Sequence, residues 1–262
     1  MIVLLSILFV LVVLYFMTHR KDSVYNRFKG NFKYIKQKGG IGVDMAYCIS
    51  MPNRISHAKK KMKELGGNYK IFNAIRPELL SAADYATMSL TYFPGFKSFN
   101  KKTKLPVALS FFMCYYDALI NGYDTICIFE DDIDFPLGVD KIKKSISEFK
   151  NIDHEMLFLG YCHLNCDGDY SRVSEELIDV SGTQLVCNHA LCIKRTFIEK
   201  YLKGKPLFYQ NHNDQVLSMF CIRNGIGTTV PTVPLVNQKR EEMGSQNGNN
   251  ALFLNTCNFN DV

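Results

Sequence analysis

Beyond residue 40 the sequence has no net charge. The chain holds 31 Lys and Arg against 25 Asp and Glu. The excess comes from Arg20, Lys21, Arg27, Lys29, Lys33, Lys36 and Lys38, opposed near the start only by Asp22. Residues 41–262 carry 24 bases and 24 acids, so a nucleic-acid-binding reading of this part loses its main compositional support. The first apolar strand signal is followed by Met51-Pro52-Asn53-Arg54 and not by a glycine-rich turn, which excludes a phosphate loop of the usual kinds. No segment repeats, so repeat architectures are excluded. Nine cysteines fall without a pairing rhythm. Cys162 and Cys166 flank His163, but no second pair stands at zinc spacing. Cys114, Cys127, Cys187 and Cys192 lie in apolar runs and are expected to be buried free thiols acting as small hydrophobes. Disulfides are not expected to hold the fold together.

What is present begins with an uncharged apolar run, Ile2 to Met17, interrupted only by Ser6 and followed by Thr18-His19-Arg20-Lys21. No basic residue precedes it and no small-residue exit follows, which favours an uncleaved anchor over a signal peptide. The run is near the short end of what spans a bilayer, about 17–25 residues. A single-pass membrane anchor over residues 1–17 is therefore expected. The positive charges after it place the following domain on the cytoplasmic side; a luminal domain is the alternative, by analogy with Golgi enzymes. Residues 18–40 read as a basic juxtamembrane stalk able to touch anionic lipid. Residues 41–248 read as the folded domain and 249–262 as a polar tail.

Within the domain, Ile41 to Ser50 predicts a strand, residues 56–65 a helix closed by Gly66-Gly67, and Tyr69 to Ile75 a second strand. This is a strand–helix–strand opening. One helical piece is expected around residues 79–88. Leu105 to Asn121 predicts a helix, with Pro106 near its start and Asn121-Gly122 at its end. Gly138 to Phe149 is an amphipathic helix, residues 155–160 a strand, and Gly182 to Ile193 a strand or strand pair. Short helices follow over residues 196–202 and 215–223, then a Pro-interrupted extended segment over 228–236.

The centre of the pattern is Thr125-Ile126-Cys127-Ile128-Phe129-Glu130-Asp131-Asp132-Ile133-Asp134. A buried strand runs straight into four carboxylates. Adjacent carboxylates raise one another's pKa unless a cation sits among them. Open α/β sheets bind ligands beyond the carboxyl ends of their strands. Acids delivered there suit Mg²⁺ or Mn²⁺, which favour oxygen ligands. An acidic solvated turn is the alternative.

The ordered motifs resemble glycosyltransferase family 25, the group that includes lipopolysaccharide-biosynthesis and collagen galactosyltransferases. The resemblance rests on Tyr47-Cys48-Ile49-Ser50-Met51-Pro52-Asn53-Arg54, Phe72-Asn73-Ala74-Ile75, Ala108-Leu109-Ser110, Ile128-Phe129-Glu130-Asp131-Asp132, Met156-Leu157-Phe158-Leu159-Gly160 and Asn188-His189-Ala190-Leu191-Cys192-Ile193. Downstream, Asn213-Asp214 and Val233-Pro234-Leu235-Val236-Asn237-Gln238 complete the set. Phe111 stands where the family usually has histidine, and Leu191 where it has tyrosine. The resemblance covers residues 43–248.

It implies an α/β fold: a single GT-A-like nucleotide-sugar-binding domain with a mixed central sheet. It implies hexosyl transfer, galactose or glucose, from a UDP-sugar to a hydroxyl of a glycan, lipid-linked glycan or protein, with inversion. Asp132, Asp134 and His212 are the candidate ligands of Mn²⁺ or Mg²⁺. Arg54, Glu130, Asp131, His189 and Gln238 are candidates for holding the donor. Asp214 is the candidate general base, although an acid at a helix start also serves as an ordinary cap. Two alternatives stand beside this reading: a non-catalytic nucleotide-sugar- or glycan-binding relative of the same fold, and a metal-dependent phosphohydrolase using the acid cluster.

Overall fold

The computed structural model describes residues 24–82, 84–85, 104–161, 164, 168–204 and 213–239. Strand β1 (Phe32–Ile35) precedes the strand–helix–strand unit β2 (Met45–Ser50), α1 (Ile55–Leu65) and β3 (Tyr69–Asn73). β2 is buried along its whole length, as its apolar run dictates. In α1, Ala58, Met62 and Leu65 form the buried stripe, while Lys59, Lys60 and Lys63 face solvent. Gly66, at φ +75°, ends the helix, a conformation that costs glycine little.

Helix α2 (Lys104–Ile120) leads into β4 (Thr125–Glu130), which is followed by the short β5 (Ile133–Asp134). Then come α3 (Val139–Asn151), β6 (Met156–Gly160), β7 (Ser171–Arg172), β8 (Leu177–Asp179) and β9 (Ala190–Lys194). The described chain closes with α4 (Arg195–Gly204), α5 (Asn213–Arg223), β10 (Thr228–Pro231) and β11 (Asn237–Gln238).

Nine of these strands form one sheet in the order β1-β3-β2-β4-β9-β6-β10-β8-β7. β3, β2 and β4 run parallel, and β9 runs antiparallel to both β4 and β6. The central sheet is therefore mixed, as expected. Side-chain alternation sends successive residues to opposite faces. Met45, Tyr47, Ile49, Ile126 and Ile128 pack with residues of α2, α4 and α5. Ala46, Cys48, Cys127 and Phe129 pack with α1 and α3. The result is a sheet with helices on both faces.

Several expectations need correction. The expected stalk contains β1, which pairs antiparallel with β3 from Phe32↔Phe72 to Ile35↔Tyr69. The Gly67 N–H also bonds to the Lys38 carbonyl, and the Gly40 and Gly67 backbones approach too closely for a Cβ at either residue. This segment is therefore part of the domain. The single-pass anchor is withdrawn: no helix among the described residues is long and apolar enough to cross a membrane. Residues 1–17 themselves, the tail over 249–262, and His163 with its flanking cysteines lie outside the described residues.

Cys127 and Cys192 are not free thiols. They stand directly opposite each other on antiparallel neighbours and are joined as a disulfide. Cys187 is disulfide-bonded as well, whereas Cys114 is a buried free thiol as expected. Of the strand or strand pair expected over 182–193, only the last third lies in a strand, β9.

Candidate active site

The parallel strands β3, β2 and β4 end on the same edge of the sheet, where α/β folds gather their ligands. β4 delivers Glu130 as its last residue, and Asp131 and Asp132 form the turn beyond it. β5 then pairs antiparallel with β11, Gln238 standing opposite Ile133. This small ribbon folds Gln238 over the acids. Its side-chain amide donates to Glu130 Oε2 at 2.9 Å and to Asp132 Oδ1 at 3.3 Å. The Lys239 N–H bonds to the Asp132 carbonyl at 2.6 Å, fixing the other side of the turn.

The carboxylates divide between distinct tasks. Asp131 accepts from the Met51 N–H at 2.6 Å and from Arg54 Nη1 at 3.1 Å. It thereby ties the end of β2 to the end of β4. Burial pushes its pKa up, and the Met51 N–H and Arg54 guanidinium only partly counter this. Arg54 also lies 3.9 Å from Asp132 Oδ2. Asp134 points elsewhere: it pairs with Lys61 at 2.6 Å and Lys239 at 3.7 Å and does not line the cleft. Partial burial raises its pKa, but the Lys61 ammonium, the Phe135 N–H and Lys239 together leave it below the usual range. The Asp-x-Asp spacing suggested a shared role for Asp132 and Asp134. The two-residue strand separates them instead, because its second residue faces α1.

A cleft of about 270 Å³ opens over this edge. Glu130, Asp131, Asp132 and Gln238 line it together with Asn188, Asn213 and Asp214. Ile49, Ile75 and Phe111 add apolar surface, and Arg54, Arg76 and Lys104 add positive charge. Asp214 is in the first turn of α5. Its Oδ2 accepts from the Cys187 N–H at 2.8 Å, and its Oδ1 from the Gln215 N–H at 2.8 Å. Cys187 has φ +67°, a left-handed conformation uncommon outside glycine.

His189 does not line the cleft. It is buried, its Nε2–H donates to the Val236 carbonyl at 2.9 Å, and its ring fills the space over Gly160. Its carbonyl accepts from the Glu130 N–H at 2.8 Å. It thus supports the site from behind and is not placed to touch a donor. His212 lies outside the described residues.

Among the described residues, no group of three or more His, Cys, Asp and Glu is placed to hold a metal ion. Glu130 and Asp132 nevertheless point carboxylate oxygens at one shared donor, the Gln238 amide. Two convergent carboxylates fit Mg²⁺ or Mn²⁺ of the kind completed by water and substrate phosphate.

With this geometry in view, a sequence model for glycosyltransferase family 25 (LPS biosynthesis protein) matches residues 44–216. The chain belongs to glycosyltransferase family 25. Membership makes it a glycosyltransferase by family, acting between a sugar donor and an acceptor. Among solved structures, "Crystal Structure of A197 from STIV" is similar at 17% identity with a TM-score of 0.38, covering 71% of this chain and 80% of that one. No curated protein gave a match.

Polar cleft residues of this family 25 chain that sequence reasoning did not single out as site candidates include Arg76, Lys104, Ser110, Asn188 and Asn213. Asn188 carried a weak signal, a polar side chain two residues before a buried strand. Arg76 and Lys104 carried none that set them apart from surface cations.

Proposed function

We propose that this family 25 protein transfers a hexose, galactose or glucose, from a UDP-sugar to a hydroxyl of a glycan, lipid-linked glycan or protein, with inversion. The observation that carries the reading is the meeting of Glu130 and Asp132 under the Gln238 amide, in the same cleft as Asp214. Glu130 and Asp132 would hold Mn²⁺ or Mg²⁺, which stabilises negative charge on a departing diphosphate. Arg54 lines the cleft and holds Asp131, so it adds fixed positive charge beside the same group.

The acceptor oxygen forms the new bond to the anomeric carbon as the bond to the nucleotide breaks. The bonding pair leaves with UDP. Asp214 takes the hydroxyl proton as general base. Its hydrogen bonds from the Cys187 and Gln215 N–H groups hold the carboxylate in place for that task.

The test is UDP release from UDP-glucose and UDP-galactose, with and without Mn²⁺. Release is expected to require the ion and to fall on the order of 100-fold in Asp132→Ala, the scale of losing a charge-stabilising element. Full activity in a folded Asp132→Ala protein would remove the metal assignment. A protein whose melting temperature rises with UDP-sugars, yet which releases no UDP, would be the non-catalytic binder instead.

A further inference from the structure

We propose that Asn188 determines donor specificity, its side-chain amide donating a hydrogen bond to a hydroxyl oxygen of the transferred sugar. This rests on the sugar-transfer reading above. Asn188 lines the cleft, yet it is only 6% exposed. Its amide nitrogen is buried and has no hydrogen-bond partner among the described residues. Folded proteins leave few buried donors unpaired, and such a group in a cleft calls for a ligand to complete it.

The residue is also held where it stands. On one side, Cys187 is pinned in its left-handed conformation by the Asp214 carboxylate. On the other, the His189 carbonyl accepts from the Glu130 N–H. Asn188 therefore sits between the candidate base and the strand that carries the acids. Its backbone neighbours are fixed to both, so the backbone at Asn188 cannot shift without breaking one of these ties.

The chemistry of the cleft explains why a neutral donor belongs there. A sugar hydroxyl donates one hydrogen and accepts through its oxygen. Glu130, Asp132 and Asp214, when ionised, only accept. They can receive hydroxyl hydrogens but cannot satisfy hydroxyl oxygens. Asn188 supplies an N–H without adding charge. The diphosphate calls for cationic donors instead, and these stand at Arg54, Arg76 and Lys104 in the same lining. A site with a buried donor aimed at one hydroxyl rejects the analogue that lacks it, because the donor is then left unpaired.

The experiment compares wild type, Asn188→Ala and the near-isosteric Asn188→Asp, which replaces the amide donor by an acceptor. The readouts are kcat/KM for UDP-glucose, UDP-galactose and their monodeoxy analogues, and the melting-temperature shifts given by UDP alone and by each UDP-sugar. In wild type, one deoxy position should lose on the order of 10- to 100-fold in kcat/KM, the scale of a single lost hydrogen bond in a buried site. Asn188→Ala should lose a similar factor with the parent donor and nothing further with that one analogue. Both variants should keep the shift given by UDP alone. If either folded variant weakens every analogue by the same factor, or weakens UDP itself, the assignment is overturned. Wild-type release of UDP without any Asn188-dependent hydroxyl defeats only this assignment. A wild type inert toward every UDP-sugar defeats the transfer reading as well.

Discussion

Asp214 Oδ2 accepts a hydrogen bond from the Cys187 N–H at 2.8 Å. The same carboxylate thus clasps a left-handed residue and faces the cleft as candidate base, and two substitutions separate these roles. Asp214→Asn keeps an oxygen for the clasp and removes the basic group. It gives up the Gln215 N–H, so its melting temperature should fall less than that of an alanine variant, while kcat falls by about 10²- to 10⁴-fold, the usual weight of general base catalysis. Asp214→Ala should also lose about 1–3 kcal/mol of stability by unpairing the Cys187 N–H. Wild-type kcat in Asp214→Asn would leave Asp214 as a clasp alone.

Gln238 screens Glu130 from Asp132. Gln238→Glu would put a third carboxylate between them. Like charges so close disfavour one another's ionised forms, so this variant should melt below wild type in chelator and recover more than wild type when Mn²⁺ is added. Asp134→Ala serves as the contrast, because its carboxylate is paired with Lys61 outside the cleft. It should leave the Mn²⁺ dependence of UDP release unchanged. A Gln238→Glu protein whose melting ignores Mn²⁺ would argue against an ion at Glu130 and Asp132.

Gly160 lies under the His189 ring and the Val236 carbonyl, and a Cβ there would collide with both. Gly160→Ala should therefore cost about 1–3 kcal/mol, as overpacking of a tight core does, measured by urea denaturation. An unaffected midpoint would mean that His189 is not wedged as described.

Glu176 joins the segment before β8 to α3 through Lys144 at 2.9 Å and Lys141 at 3.1 Å. Hydrogen bonding from Lys144 lowers its pKa from the ordinary 4.5 against a smaller opposing effect of burial, and Lys141 lowers it further. A depressed folded pKa means the stabilisation is fully present above the unfolded value. It is lost as pH falls through the folded value. The lysine side chains are substantially exposed, so Glu176→Gln should cost only about 0.2–1 kcal/mol at neutral pH. The gap to wild type should close as the pH falls below 4.5. A gap that persists in acid would point to packing, not charge.

The core of the fold was legible because β2, β3, β4 and β6 are short apolar runs bounded by turn residues, and burial explains such runs directly. The acids at the end of β4 were legible for the same reason: polarity changes abruptly where the strand leaves the core. β1 was not, because Phe32-Lys33-Tyr34-Ile35 is a four-residue edge strand with no buried position, set in a basic segment. The Cys127–Cys192 bond depends on strand register across 65 residues, which spacing alone does not reveal. Asp134 misled because spacing carries no information about the β5–β11 ribbon that turns it toward Lys61. Asn188 escaped because lacking a partner is a property of the folded surroundings and not of the residue type.

The antiparallel placement of β9 beside β4 has a mechanical consequence. The last residue of one strand stands next to the first residues of the other, and the Glu130 N–H to His189 carbonyl bond joins them. Acidic floor and asparagine wall are thus parts of a single stiff plate, further riveted at the middle register pair of the two strands by the Cys127–Cys192 bond. Such a plate cannot hinge between its two halves. Widening the cleft for a bulky ligand would have to come from the rim beyond β3, where Arg76 follows the strand and Lys104 begins α2. The entrance is then a one-sided door whose fixed jamb carries the chemistry.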